Sequence, residues 1–175
     1  MLQRVQSGGA GDEPVQARRA LRTALGRFPT GVAVVTAESA DGHIHCMTVN
    51  SFTSLSLNPP LVMWALRTDS TRFDAMTRCG QFSVNVLAEA QVELARRHAV
   101  APPQLAPVAE WDAHLEDCPV IAGAAAHFVC RPSAQLLQGD HTLLVGEVLH
   151  FADNGRLPLL FMSGGFYSGR SLTAL

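Results

Sequence analysis

Lysine is absent. All 13 basic residues of the 175 are arginine, set against 15 acidic residues for a net charge of −2. Without lysine there can be no GxxxxGK[ST] loop, and no GxGxxG follows a strand, so the common nucleoside-triphosphate and dinucleotide domains are not indicated. The lysine-free composition itself reads as base composition of a GC-rich genome rather than as function. With neither a basic excess nor a basic run, nucleic acid is not an expected partner. Cysteine is sparse and scattered: Cys46, Cys79, Cys118 and Cys130 form no CxxC pair, which points to a reduced, cytoplasmic protein with thiols in its core. Long apolar runs are missing too. Leu61 to Leu66 and Val120 to Ala126 fall far short of the ~20 residues that span a bilayer, so no membrane association is expected. The start, MLQRVQSGGAGDEP, has no hydrophobic signal core, and export is not indicated.

What remains is an apolar, sparsely charged chain of one-domain size. Hydrophobic residues make up 47% and charged residues 16%, with a mean hydropathy of +0.14. A chain this long removes roughly 70% of its unfolded surface from water on folding. Separate cofactor and substrate domains do not fit in it. The apolar excess suggests surface to be covered by a second subunit. Residues 1–13, rich in Gly and polar residues, are expected to be disordered, leaving one domain over 14–175.

Helical spacing of Val15, Leu21, Ala24, Leu25 and Phe28 predicts a first helix that Pro29 stops. Gly31 to Ala37 reads as a buried strand, followed by a turn at Asp41-Gly42 and a returning strand from His43 to Val49. Leu61 to Leu66 is the next strand, and Ser70 is placed as the N-cap of a short helix through Arg78. Gln81 to Leu87 alternates as a strand, Glu89 to His98 reads as a helix, and a loop broken by Pro102, Pro103 and Pro107 leads to Trp111. Strands from His127 to Leu137, His141 to Phe151 and Leu157 to Met162 complete the chain, with turns at Gly139-Asp140 and Asn154-Gly155. Roughly six strands and three helices without βαβ alternation predict a small antiparallel barrel with peripheral helices.

Chemistry is thinly marked. His43-Ile-His45-Cys46 is the only close His/Cys group. Strand geometry puts the two histidines on one face and Cys46 on the other, with no second ligand cluster, so it reads as a hairpin edge and no metal site is expected. There is no GxSxG elbow, and Ser163 in Met162-Ser163-Gly164-Gly165 reads as a turn residue. The informative stretch is Met47 to Pro60, where Thr48, Asn50, Ser51, Thr53, Ser54 and Ser56 alternate with apolar residues. Short polar side chains beside free backbone groups suit the heteroatoms of a flat heterocycle or a phosphate; the alternative is a solvated Ser/Thr-rich strand and turn. In Thr68-Asp-Ser-Thr-Arg72, Ser70 and Arg72 can hold a phosphate or be an ordinary cap beside a surface arginine. His141 sits in the Gly139-Asp-His-Thr142 turn, able to orient a ligand or simply exposed.

Four blocks in order resemble the short-chain flavin reductase family, the reductase components of two-component flavin monooxygenases. They are Phe28-Pro-Thr-Gly-Val-Ala-Val-Val-Thr36, Met47-Thr-Val-Asn-Ser-Phe-Thr-Ser-Leu-Ser-Leu-Asn-Pro59, Phe82-Ser-Val-Asn-Val-Leu87, and Gly139-Asp-His-Thr-Leu143 followed by Gly146-Glu-Val148. The resemblance covers about residues 20–168. It implies a mainly β fold, the antiparallel Greek-key FMN-binding split barrel with about three peripheral helices, working as a homodimer. It implies FMN or FAD as flavin, with NADH or NADPH as co-substrate. The flavin-binding segment it implies is Thr48, Val49, Asn50, Ser51, Phe52, Thr53, Ser54 and Leu55, with Thr30, Asp69, Ser70 and Arg72 near the ring and phosphate. Arg72 is the nearest candidate for the position where many relatives carry lysine. His141 matches the residue implicated in nicotinamide binding, and Phe166-Tyr167 falls where an aromatic approaches the flavin, so Tyr167 joins His141 in positioning NADH. No side chain is expected as general acid or base, because hydride passes between the two rings. A flavin-dependent monooxygenase is the implied partner. A flavin-bound oxidase or dehydrogenase of the same fold, or a non-catalytic flavin- or haem-binding protein, are the alternatives.

Overall fold

The computed structural model describes residues 15–100, 111–115 and 118–171. The N-terminal segment 1–13 and the Pro102–Pro107 loop lie outside the described residues.

The elements, in chain order, begin with α1 (Val15–Leu25), β1 (Thr30–Gly31), β2 (Ala33–Glu38), β3 (Ile44–Val49), β4 (Thr53–Leu57) and β5 (Pro60–Arg67). After α2 (Phe73–Arg78) and β6 (Phe82–Val86), a 3₁₀ turn at Glu89–Gln91 leads into α3 (Val92–Ala99). Then come β7 (Trp111–Leu115), β8 (Cys118–Ile121), β9 (Ala126–Gln138), β10 (His141–Asp153), β11 (Leu159–Met162) and β12 (Gly165–Ser168). The strands among the described residues thus number twelve, not about six. The extra ones are polar (β4), short (β1, β7, β8) or glycine-led (β12), and none carries an apolar alternation long enough to read. Among the described residues no helix is long and apolar enough to cross a membrane.

The main sheet has the order β3-β2-β6-β9-β10-β5-β4, antiparallel throughout. The β5-to-β6 connection straddles the β9–β10 hairpin, which makes the topology Greek-key. β3 and β4 are the two ends of this order, yet only Asn50, Ser51 and Phe52 join them. Laid flat, seven strands would hold their outer members about 29 Å apart at ~4.8 Å per gap. Four Cα steps of ~3.8 Å reach at most about 15 Å. The sheet must therefore roll until its edges nearly meet, and the three-residue link marks the seam of a split barrel. Ser51 secures that seam. Its hydroxyl accepts the Ala65 N–H of β5 at 3.0 Å and lies 3.3 Å from the Ala65 carbonyl, beyond the stretch where β4 pairs with β5.

β2 explains why its sequence is a continuous apolar run rather than an alternation. Ala33, Val35 and Ala37 enter the barrel core with Trp64, Leu66, Phe82 and Leu144. Val32 and Val34 enter a second core outside the barrel, with Leu87, Leu94, Ala95, Ile121 and Leu159. Both faces are covered, so both parities are apolar. The outer face continues into a buried polar group. Thr36 and Ser83 hydroxyls, 2.6 Å apart, converge on the Pro119 carbonyl, and Asn85 bridges the Val34 carbonyl and the Ile121 N–H at 3.0 and 2.8 Å. These bonds fasten β8 to the barrel wall. Inside, β10 passes close beneath Phe82 at Gly146, next to a register shift; a Cβ there would lie 2.4 Å from Phe82 Cζ. Only glycine fits.

Two expectations shift locally. α1 ends at Leu25 rather than at Pro29 and buries no side chain, so its apolar stripe stays exposed. Helix α2 begins at Phe73, and Ser70 is not its cap; the Ser70 hydroxyl instead accepts the Arg72 N–H at 3.2 Å, in the turn before the helix.

Candidate functional site at the barrel seam

A cleft of about 420 Å³ opens at the seam. The end of β3 and the link supply Thr48, Val49, Asn50 and Ser51, the turn after β5 supplies Asp69, Ser70 and Arg72, and the start of β10 supplies His141. Three separated sequence segments thus converge, and each had been singled out on its own. They meet because β10 pairs with β5, which sets His141 opposite Arg67, while Ser51 holds the link against Ala65 of the same β5.

The side chains differ in how free they are. Thr48 donates its hydroxyl to the Ala95 carbonyl of α3 at 2.7 Å, and Ser51 is committed to Ala65. What both offer a ligand is mainly backbone and residual acceptor capacity. Asn50 is exposed. Asp69 pairs with Arg67 at 2.6 Å, so its charge is answered on the rim. His141 Nδ1 lies 2.7 Å from Asp140 Oδ1, an interaction that holds the Asp140 carboxyl below the usual carboxylate range. Arg72 is 5% exposed; one of its terminal nitrogens donates to the Val100 carbonyl at 2.8 Å, and its Nε has no partner among the described residues. Burial weakens its hold on the proton, although an arginine stays cationic.

A second cleft, of about 910 Å³, shares Thr48, Val49 and Asn50 with the first. Thr30 lines it, with a buried Oγ1 that has no partner among the described residues. Phe161 and Phe166, packed edge to face at 5.3 Å, form an aromatic wall, and Arg96 lies 5.7 Å over the Phe166 ring. The Ser163-Gly164 turn closes one end. With φ of 50° and 82° it is the two-residue hairpin turn between β11 and β12, as its sequence suggested.

Not every expected residue reaches these clefts. Phe52 turns into the barrel against Phe128, with ring centroids 5.7 Å apart. Thr53, Ser54 and Leu55 run along the exposed edge strand β4. Tyr167 lines neither cleft; strand alternation gives Phe166 the cleft side, and the Tyr167 ring lies over Gly165. Arg19, Arg22 and Arg27 line the second cleft without any motif having marked them. A larger hollow, about 1110 Å³, gathers Cys79 and Cys118 and shares only Thr71 with the seam cleft. Burial pushes those thiols up to about 11 and about 12, which leaves them protonated and unreactive at neutral pH. His43 and His45 engage Asp41 and Ser39, and no group of three or more His, Cys, Asp or Glu among the described residues could hold a metal.

Each cleft contains a polar atom, Arg72 Nε or Thr30 Oγ1, that is buried without a partner among the described residues, and such atoms are costly unless another group or water meets them. Residues 25–170 match the family model described as flavin reductase like domain. The chain belongs to the flavin reductase-like family. It is 43% identical over 148 residues to the FMN reductase (NADH) SmoA of Agrobacterium fabrum, covering 85% of this chain and 84% of that one. A probable flavin reductase of Rhizobium meliloti is 38% identical over 87% of this chain, which spans only 49% of that relative's length. Among solved structures, the NADH:FAD oxidoreductase SgcE6 of Streptomyces globisporus, in complex with NAD and FAD fragments, superposes with a TM-score of 0.81. It is 37% identical over 87% of this chain and 92% of that one. The split-barrel fold expected from the four blocks is thereby borne out.

Proposed function

We propose that this chain is an NADH:flavin oxidoreductase that reduces FMN or FAD and releases the reduced flavin to a partner monooxygenase. The observation that carries the reading is the convergence of Thr48–Ser51, Ser70, Arg72 and His141 on one cleft. A flavin held at the seam by Thr48–Ser51, Ser70 and Arg72 would supply the hydride acceptor, with NADH as the donor. Everything else falls to positioning by this chain's own residues. The Thr48–Asn50 backbone is the platform for the ring. The buried Arg72 guanidinium, with its unused Nε, answers the flavin phosphate together with the Ser70 turn. His141, oriented by Asp140, fixes the nicotinamide. Its role is to bind rather than to move a proton, so His141→Ala raises the KM for NADH by about tenfold and leaves kcat within about threefold.

A homodimer completes the site. Support comes from exposed apolar side chains at the rim of the second cleft, Leu25 and Phe28, and on the long β9–β10 hairpin, Leu137 and Phe151. Chromatography with light scattering should give twice the 18.7 kDa chain mass. The deciding test mixes purified protein with NADH and either FMN or FAD and follows absorbance at the NADH band. NADH loss that requires free flavin supports the reading, and none with either flavin refutes it.

A further inference from the structure

The second cleft has a charge pattern for which flavin alone gives no reason. Arg19, Arg22 and Arg27 line it, and no carboxylate among the described residues does. This is the more marked in a chain of net charge −2. Helix α1 carries Arg18, Arg19 and Arg22 without one acidic residue, and the three-residue spacing of Arg19 and Arg22 sets like charges on one face, where they repel. Five other arginines show what this protein ordinarily does with such side chains. Arg67, Arg78, Arg96, Arg131 and Arg170 each lie 2.6 to 3.6 Å from a carboxylate. The guanidiniums of Arg19, Arg22 and Arg27 have no ion pair among the described residues. The turn at the end of α1 is tied down. The Ser163 N–H donates to the Gly26 carbonyl at 2.8 Å, tying the turn that bears Arg27 to the β11–β12 hairpin. Beside them lie Thr30 Oγ1, buried with no partner among the described residues, and the Phe161–Phe166 wall, an apolar face suited to a heterocycle.

We propose that this arginine cleft binds the pyrophosphate of an adenine dinucleotide, holding its adenylate half while its reacting ring reaches the shared Thr48–Asn50 floor. A pyrophosphate presents two adjacent anionic groups, which three forked guanidiniums match better than the single phosphate of FMN requires. The proposal rests on the flavin reductase reading of the adjoining cleft. Two dinucleotides have this chemistry, NADH and FAD, and they can be told apart.

The test uses Arg22→Gln/Arg27→Gln and the charge-preserving Arg22→Lys/Arg27→Lys in the full chain. α1 buries no side chain, so both variants should keep the wild-type melting temperature. First, ADP, which carries the pyrophosphate but no redox ring, is titrated calorimetrically. Affinity should fall about tenfold or more in the glutamine variant and largely return in the lysine variant. This arm needs no turnover, so it decides the cleft even if NADH is not consumed and the reductase reading fails. Second, steady-state kinetics assign the source. A tenfold rise in the KM for NADH with FMN as acceptor, at a kcat within twofold, identifies the nicotinamide dinucleotide. A rise confined to the KM for FAD, with NADH and FMN unchanged, identifies the flavin dinucleotide. Wild-type protein that does not bind ADP, a glutamine variant that binds it as well, or weakened ADP binding with every KM unchanged would each overturn the proposal.

Discussion

Ser51→Ala tests whether the seam is held where the structure places its fastening. The substitution removes the side-chain group that, among the described residues, meets both the N–H and the carbonyl of Ala65, at 3.0 and 3.3 Å. The first contact is a normal hydrogen bond and the second is long, so together they contribute less than two full bonds. Ala65 is half-buried, and water replaces the lost acceptor only in part. A net loss of about 1–2 kcal/mol follows, within the range for a bond whose partner is left poorly satisfied. In a domain of this size each kcal/mol moves the melting temperature by about 2–4 °C, so the variant should melt roughly 2–8 °C lower. The assay is thermal unfolding followed by circular dichroism, with urea unfolding alongside to check that the slope is unchanged. Because the link also forms the floor of the smaller cleft, the KM for flavin should rise about threefold or more while the residual activity keeps its flavin dependence. A melting temperature within 1 °C of wild type and an unchanged flavin KM would show that Ser51 neither closes the barrel nor shapes the site.

Gly146→Ala sets a methyl group against Phe82 Cζ and Cys130 Cβ in the core, and should cost about 3 kcal/mol or fail to fold; adding Phe82→Leu should recover part of the loss in a double-mutant cycle. Arg72→Ala should raise the KM for FMN by about tenfold, with Arg72→Lys intermediate, because the buried cation meets the phosphate and a shorter ammonium reaches it less well. Asp41 is held at about 2, first by the Ser39 hydroxyl and then by the His43 N–H, against an ordinary value of 3.8. Its depressed value means that its stabilisation is fully present above pH 4 and fades as pH falls toward 2. Asp41→Asn should therefore differ from wild type in melting temperature at pH 6, with the two converging near pH 2.

Much of this was legible in the chain because strong local signals agree with the fold. The buried run of β2, the Asp41-Gly42 and Ser163-Gly164 turns and the helix after Glu89 appear as the sequence suggests. The Ser/Thr-rich stretch was ambiguous for a physical reason. Thr48 and Ser51 spend their hydroxyls on Ala95 and Ala65, Thr53 and Ser54 lie on an exposed edge, and the same composition serves both purposes. Ser83 and Asn85 stood within a recognisable block, but nothing local reveals that they face Pro119 and Ile121 across the outside of the barrel. The division between Phe166 and Tyr167 depends on strand parity, which neighbouring residues in a four-residue strand do not determine. The arginine cleft was the least visible feature, since its members are spread along a helix and the turn after it, and only tertiary structure sets them against the β3 end.

The exposed helix α1 has a thermodynamic consequence of its own. It contributes no buried side chain, so its opening uncovers little apolar surface and breaks few bonds beyond its own ladder and the Ser163–Gly26 tie. An eleven-residue helix is marginal in water. The barrel and α1 are therefore separate cooperative units, and amide hydrogens in α1 should exchange by local fraying while those of β2 and β6 wait for global unfolding. Whatever settles on α1, a second copy or a dinucleotide, must order it, and the affinity measured there is the contact energy less the cost of that ordering.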